Sequence, residues 1–139
     1  SGGTLLVKPL IRRREERLSP YQLFRKKAFS LNLDSDSYFV DLTLLFKRYL
    51  ESLYQFRIIG KTSTEIAAEL RQLQMLDDIL PEIEAWLGVC DRFKFSGVEI
   101  TRPQKEAHFR KLMAITERID QQRQQLEKQH TDSQKEGVR

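Results

Sequence analysis

The chain has 139 residues, of which 40% are hydrophobic and 32% charged, with only 6 glycines and 4 prolines. This composition suits one globular domain and excludes a linker-rich or largely disordered protein. The formal net charge of +4 is unevenly spread, because residues 1–27 hold eight basic and two acidic side chains, whereas the remainder holds sixteen and eighteen. The basic character therefore belongs to an N-terminal arm, and a body that binds nucleic acid is normally basic itself.

Residues 1–18 are predicted to form an irregular basic arm after a cloning remnant at residues 1–3. The apolar residues 4–7 directly precede basic ones, which fits either the cytoplasmic end of a transmembrane helix or an ordinary frayed terminus. The arm itself has three readings: a solvated segment, a nonspecific nucleic-acid arm, or a contact with an anionic membrane surface, worth about 1 kcal/mol per basic side chain. In the last reading the contacting residues are Lys8, Arg12, Arg13, Arg14 and Arg17.

A helical domain is predicted from residue 19 to residue 128, followed by a disordered tail at 129–139. Helix starts are signalled by Ser19 before a proline, by Thr62 with Glu65 as a capping box, and by Thr101 close before another proline. Apolar residues at helical spacing follow these signals. The predicted helices lie near 20–31, 35–56, 63–73, 78–92 and 102–128.

The fold class predicted from this pattern is mainly α, a small bundle of about five helices. One core is expected to contain Tyr38, Leu42, Leu45, Tyr49, Leu53, Ile66, Leu70, Leu80, Ile83 and Leu87, with Ala107, Leu112, Ile115 and Ile119 as the inner stripe of the last helix. Residues 56–59 interrupt the helical spacing of apolar residues, and residues 93–95 continue an alternation of charged and aromatic side chains. At most two short strands are therefore expected, and they could pair with each other. That order of elements is also the order of a winged-helix core.

The sequence offers no recognisable catalytic or metal site, and no cofactor is expected. Only two histidines, His108 and His130, and one thiol, Cys90, are present, without zinc-ligand spacing. His108 is interpreted as a surface or boundary residue and Cys90 as a core residue, since the neighbouring Asp91 opposes thiolate formation. Gly60 precedes Lys-Thr as in a phosphate-binding loop, but the earlier glycine of that motif is missing. We therefore expect no enzymatic activity.

Nucleic-acid binding is the alternative function, from the winged-helix order of elements. The recognition helix would be 78–92, which is rich in acidic residues and contains only Arg92 as a basic one. Such a helix repels the phosphate backbone that supplies most of the affinity. Protein binding is the leading hypothesis, with Trp86 and Phe93 as candidate partner-binding residues, because large aromatic side chains are frequent at binding hot spots. They can equally be core residues.

Five short motifs occur in an order that resembles a known family. They are Ser19–Gln22, Tyr38–Phe39, Phe46–Glu51, Thr62–Ile66 and Cys90–Phe95. Together they resemble the C-terminal cytoplasmic region of BatD-like bacterial membrane proteins from aerotolerance-type operons, over about residues 19–120. Two positions depart from the pattern: Ser52–Tyr54 stands where a basic residue is common, and Phe93 where a smaller residue is usual.

The resemblance implies a non-enzymatic adaptor domain on the cytoplasmic side of the bacterial inner membrane. It also implies extracytoplasmic β-sandwich domains before a transmembrane helix elsewhere in such a protein. The implied partners are von Willebrand A-domain membrane proteins and a MoxR-type AAA+ ATPase. The family carries no catalytic residues, so the motif residues are expected to be structural.

Overall fold

A computed structural model describes residues 17–55, 57–73 and 77–137, and within these ranges the chain is mainly helical, as predicted. Five helices are present there, and no strand is. They are α1 (Pro20–Phe29), α2 (Tyr38–Tyr54), α3 (Ser63–Leu70), α4 (Leu80–Phe95) and α5 (Arg102–Gly137). The predicted pairing of strands near 56–59 and 93–95 is therefore wrong for the described part of these segments; residue 56 lies outside it.

The described residues form two compact units, one ending at Ile59 and one beginning at Gly60. The first unit contains α1 and α2, and the second contains α3, α4 and α5. Eight of the ten predicted core side chains are buried, whereas Leu45 and Leu53 are partly exposed. The stripe of α2 is thus slightly rotated from the prediction, with Phe46 and Leu50 fully buried instead.

In the first unit, α1 begins as the sequence predicts. The hydroxyl of Ser19 accepts from the backbone N–H of Gln22 at 3.1 Å, and the Gln22 side chain accepts from the N–H of Ser19 at 3.0 Å. These bonds satisfy two backbone donors that a helix start leaves open. α1 then packs on α2, where the ring of Phe24 stacks on that of Tyr49 with 5.2 Å between centroids.

The segment after α2 is held by a carboxylate instead of a strand partner. α2 ends at Tyr54, and the capping residue Gln55 that follows is in the left-handed conformation, with a φ of 54°. One carboxylate oxygen of Glu51 then accepts from the backbone N–H groups of Ile58 and Ile59, at 2.8 and 3.0 Å. Glu51 thus supplies the acceptor that a neighbouring strand would supply in a sheet. The same two bonds lower the pKa of Glu51.

In the second unit, α3 begins with the predicted capping box between Thr62 and Glu65. Its first residue, Ser63, donates a hydrogen bond to the carboxylate of Asp91 on α4. Ile66 and Leu70 of α3 are fully buried. Ile83 and Leu87 of α4 are also buried, with at most 1% of their surface exposed. The packing of α3 on α4 is therefore an apolar layer with a polar link at one end.

Two helices of the second unit are longer than predicted. α4 continues through residues 93–95 to Phe95, because Trp86, Cys90 and Phe93 follow one another at helical spacing. α5 begins after a mutual cap between Thr101 and Gln104 and continues to Gly137. Its last turns occupy the segment from 129 for which the sequence predicts disorder.

Candidate interaction cleft between α4 and α5

A cleft of about 370 Å³ lies between α4 and α5. Each helix lines it with residues three or four positions apart, which places them on one helix face. The helices run antiparallel here, because Glu82 pairs with Arg118 while Cys90, later in α4, meets His108, earlier in α5. The lining residues are Glu82, Ala85, Trp86, Val89, His108, Lys111, Ala114 and Ile115.

The aromatic wall of the cleft is a stacked pair, Trp86 and His108. Their rings are nearly parallel, with 4.5 Å between centroids and 5° between planes. The indole N–H of Trp86 also donates to the carbonyl oxygen of His108 at 2.9 Å. The rings of Phe93 and His108 lie at a steep angle of 74°, with 5.8 Å between centroids. The wall is therefore fixed in position by both stacking and a buried hydrogen bond.

Beside this wall, the Sγ of Cys90 and the Nε2 of His108 lie 3.0 Å apart, within hydrogen-bonding distance for sulfur. Cys90 is completely buried and His108 is 5% exposed. Burial and, to a smaller extent, the charge of Lys111 together lower the pKa of His108 to about 4, and a hydrogen bond with the backbone of Trp86 partly opposes them. The imidazole is therefore neutral near pH 7, and the pair links two helices without forming a thiolate–imidazolium ion pair.

The charged side chains at the cleft are one ion pair and one lysine. At one end, Arg118 donates to Glu82 at 2.6 Å across the two helices, and both side chains are about half exposed. The exposed Lys111 lies on the cleft lining one helical turn beyond His108. Ala85 and Ala114 form low, exposed parts of the rim. An apolar group entering here would be flanked by a neutralised ion pair and a lysine.

The structure separates the two candidate partner-binding residues. Trp86 lines the cleft but is only 3% exposed, so it presents a small part of its surface to a partner. Phe93 is partly buried against His108 and is absent from the cleft lining. Among the candidate membrane-contact residues Arg17 is exposed, and the others, Lys8, Arg12, Arg13 and Arg14, lie outside the described residues.

His108 is the residue of the cleft that the sequence interpretation places wrongly. It is buried and is not a surface or boundary residue. Its position could have been recognised from spacing, because it lies four residues before Leu112 and seven before Ile115 on the inner stripe of α5. A histidine on an apolar stripe needs partners for both ring nitrogens, and the thiol of Cys90 serves one of them.

Over residues 17–55, 57–73 and 77–137, no group of three or more His, Cys, Asp or Glu side chains is arranged to bind a metal ion. Within the same ranges, none of the helices combines the length and the apolar character needed to cross a bilayer. No protein-family model matches the chain, and neither curated proteins nor solved structures give a significant match.

Proposed function

We propose that this chain is a non-enzymatic protein-interaction domain that docks a partner protein at the α4–α5 cleft. The observation that carries this proposal is the cleft itself, with its fixed Trp86 wall, apolar lining and 370 Å³ volume. Binding sites of this kind combine apolar walls with a few oriented polar groups. The cleft has the size to take one large apolar side chain of a partner segment.

Charge favours a partner segment with an acidic residue near that apolar side chain. Lys111 is exposed on the lining and can pair with a carboxylate, whereas Glu82 already pairs with Arg118. The motif resemblance supports an adaptor on the cytoplasmic side of a bacterial inner membrane. In that setting the partners are a von Willebrand A-domain membrane protein or a MoxR-type AAA+ ATPase.

The proposal is tested by photocrosslinking in bacterial cells that carry the full-length protein. A photoreactive amino acid replaces Ala85 or Ala114 on the cleft rim, and Ala68, an exposed alanine of α3, serves as the matched control position. We expect crosslinks to one of the two partner classes from positions 85 and 114 and none from position 68. Crosslinks that are equally strong at all three positions, or absent at the rim, would contradict a docking cleft.

A blocking variant tests whether the partner must enter the cleft. Ala85→Trp places a large side chain at the mouth of the cleft and should abolish crosslinking from position 114. Ala68→Trp introduces the same side chain on α3 and should leave that crosslinking unchanged. Circular dichroism of both variants confirms that the helices are retained.

Nucleic-acid binding remains the alternative, and the acidic side chains of α4 argue against it. Glu82, Glu84 and Asp91 lie on α4, where Arg92 and Lys94 are the basic residues. A titration of duplex DNA at physiological salt tests it in a full chain whose Arg12, Arg13 and Arg14 are replaced by glutamine. We expect no micromolar binding, because little counterion release remains. Micromolar binding by this variant would favour the alternative.

A further inference from the structure

The turn that joins α4 to α5 exposes two large apolar side chains. Phe95 is 84% exposed and Val98 is 72% exposed, the two highest values among the exposed large hydrophobic residues of the described chain. We call residues 95–98 the α4–α5 tip. A single exposed apolar residue is ordinary, but an aromatic and a branched aliphatic side chain on one short turn form a small protruding apolar surface.

The local backbone keeps these side chains outward. Gly97, in the connection between the two helices, has a φ of 67°, a left-handed conformation that other residues rarely adopt. The Oγ of Ser96 accepts from the backbone N–H of Val98 at 3.3 Å, which closes the turn locally. The tip is thus shaped by the conformation of Gly97 and by the Ser96 hydroxyl, while Phe95 and Val98 stay exposed.

Basic side chains slightly outnumber acidic ones around the tip. Residues 91–106 contain four basic side chains, Arg92, Lys94, Arg102 and Lys105, and three acidic ones, Asp91, Glu99 and Glu106. Arg102 pairs with Glu106 at 3.3 Å, whereas Arg92, at the end of α4, is exposed and adjoins Lys94 two residues on. Cationic side chains around a protruding apolar group are the pattern by which proteins adsorb to anionic bilayers, since the cations approach lipid head groups while the apolar side chains enter the interface.

We propose that the α4–α5 tip is a second membrane-contact site, which inserts Phe95 and Val98 into the interface of an anionic bilayer. The charge complementarity and the protruding shape favour a bilayer over a protein pocket. This inference is independent of the cleft between α4 and α5, because neither apolar residue lines it. It is also distinct from the N-terminal arm, because it adds an apolar component that a basic arm alone lacks.

The test uses the full chain with an environment-sensitive fluorophore at Glu99→Cys, an exposed position next to Val98 that keeps the Ser96 hydroxyl in place. Cys90 is completely buried, so labelling is directed to the new thiol. The control is the same label at Gln121→Cys, an exposed position of α5 about 28 Å along the helix from its start. The probes are vesicles of phosphatidylcholine alone and vesicles in which part of it is replaced by phosphatidylserine.

We expect phosphatidylserine vesicles to shift the emission of the label at position 99 to the blue and to leave that at position 121 unchanged. Phe95→Ser with Val98→Ser should weaken this binding at least tenfold, and Arg92→Gln with Lys94→Gln should weaken it at low salt. The apolar pair is exposed, so these variants should retain their circular dichroism. An absent shift at position 99, or equal shifts at both positions, would overturn the proposal; an absent shift would leave the tip to a protein partner.

Discussion

Trp86 engages His108 twice, by stacking its indole ring on the imidazole and by donating its ring N–H to the carbonyl oxygen of the same residue. Because both interactions join α4 to α5, the indole environment depends on the packing of these two helices. Trp86 is also the one tryptophan of the sequence. Its fluorescence therefore reports specifically on the α4–α5 packing that forms the cleft.

We predict that the second unit loses stability as the pH falls from about 6.5 towards 4. The folded-state pKa of His108 is about 4, below its usual value of 6.5, so the unfolded chain binds a proton more readily. The neutral imidazole is fully compatible with the folded state above pH 6.5. As the pH falls, proton uptake by His108 in the unfolded chain lowers the free energy of unfolding, by about 3 kcal/mol at pH 4. Denaturant unfolding followed by Trp86 fluorescence measures this loss.

The matched control for this pH effect is His108→Gln, which cannot take up the proton. Carboxylates titrate in both proteins, so the comparison isolates the imidazole. The variant should lose less stability between pH 7 and pH 4 than the original chain. Identical losses would show that His108 is not held neutral by burial.

We predict that two leucines of α2 differ sharply in their contribution to stability. Leu42 is completely buried, whereas Leu45 is partly exposed. Leu42→Ala should lower the free energy of unfolding by about 2–5 kcal/mol, because it removes packed atoms and leaves a cavity. Leu45→Ala should lower it by about 1 kcal/mol. Chemical unfolding followed by circular dichroism makes the comparison, and equal losses would contradict the observed orientation of α2.

We predict that Gln55→Gly stabilises the end of α2. Gln55 has a φ of 54°, a left-handed conformation that is unfavourable for a residue with a Cβ atom. Glycine should raise the free energy of unfolding by about 0.5–1 kcal/mol at this position. The control Ser52→Gly, at an exposed site within α2, should lower it. A decrease for both variants in thermal unfolding would contradict the left-handed helix end.

We predict that Glu51→Ala destabilises the first unit by about 1–2 kcal/mol. The carboxylate accepts from two backbone N–H groups after the helix, and the alanine leaves both without this acceptor. Glu51→Gln retains an acceptor oxygen without the charge, so its loss should be smaller. Urea unfolding of the original chain and the two variants gives their order of stability. A glutamine variant as unstable as the alanine variant would show that a neutral acceptor at position 51 does not replace the carboxylate.

We predict that the basic arm binds anionic vesicles weakly and in a salt-dependent way. Replacing Arg12, Arg13 and Arg14 by glutamine should weaken flotation with anionic liposomes at low salt and have little effect at high salt. Neutral liposomes are the control. Equal binding of the original chain to neutral and anionic liposomes would rule out an electrostatic mechanism for the arm.

Three of the five helix starts in the described residues were predictable from the sequence, because a cap is a local arrangement of neighbouring residues. The other two helices, α2 and α4, begin two to three residues later than predicted and have no side-chain cap. Ser19, Thr62 and Thr101 each make the side-chain hydrogen bonds that their neighbours at the third position suggest. Helix ends were less predictable, since they depend on tertiary contacts. The alternating residues 93–95 resemble a strand, yet Phe93 continues the α4 stripe to the imidazole of His108.

The cleft was predictable only in part. Trp86 could be selected by residue type, but nothing local to it indicates that His108, far along the chain, stacks on its ring. The exposure of the tip was likewise not predictable from the sequence, because Phe95 and Val98 are residue types that are usually buried in the core. Their exposure follows from where α4 ends and Gly97 turns the chain.

The most extensive helix contacts join neighbours along the chain, namely α1 with α2, α3 with α4, and α4 with α5. Contacts between such neighbours form after short loops close, so their entropic cost is small. Each unit is therefore expected to fold quickly, within about microseconds to milliseconds. During synthesis on a ribosome, α1 and α2 can pair while the residues of the second unit are still being added.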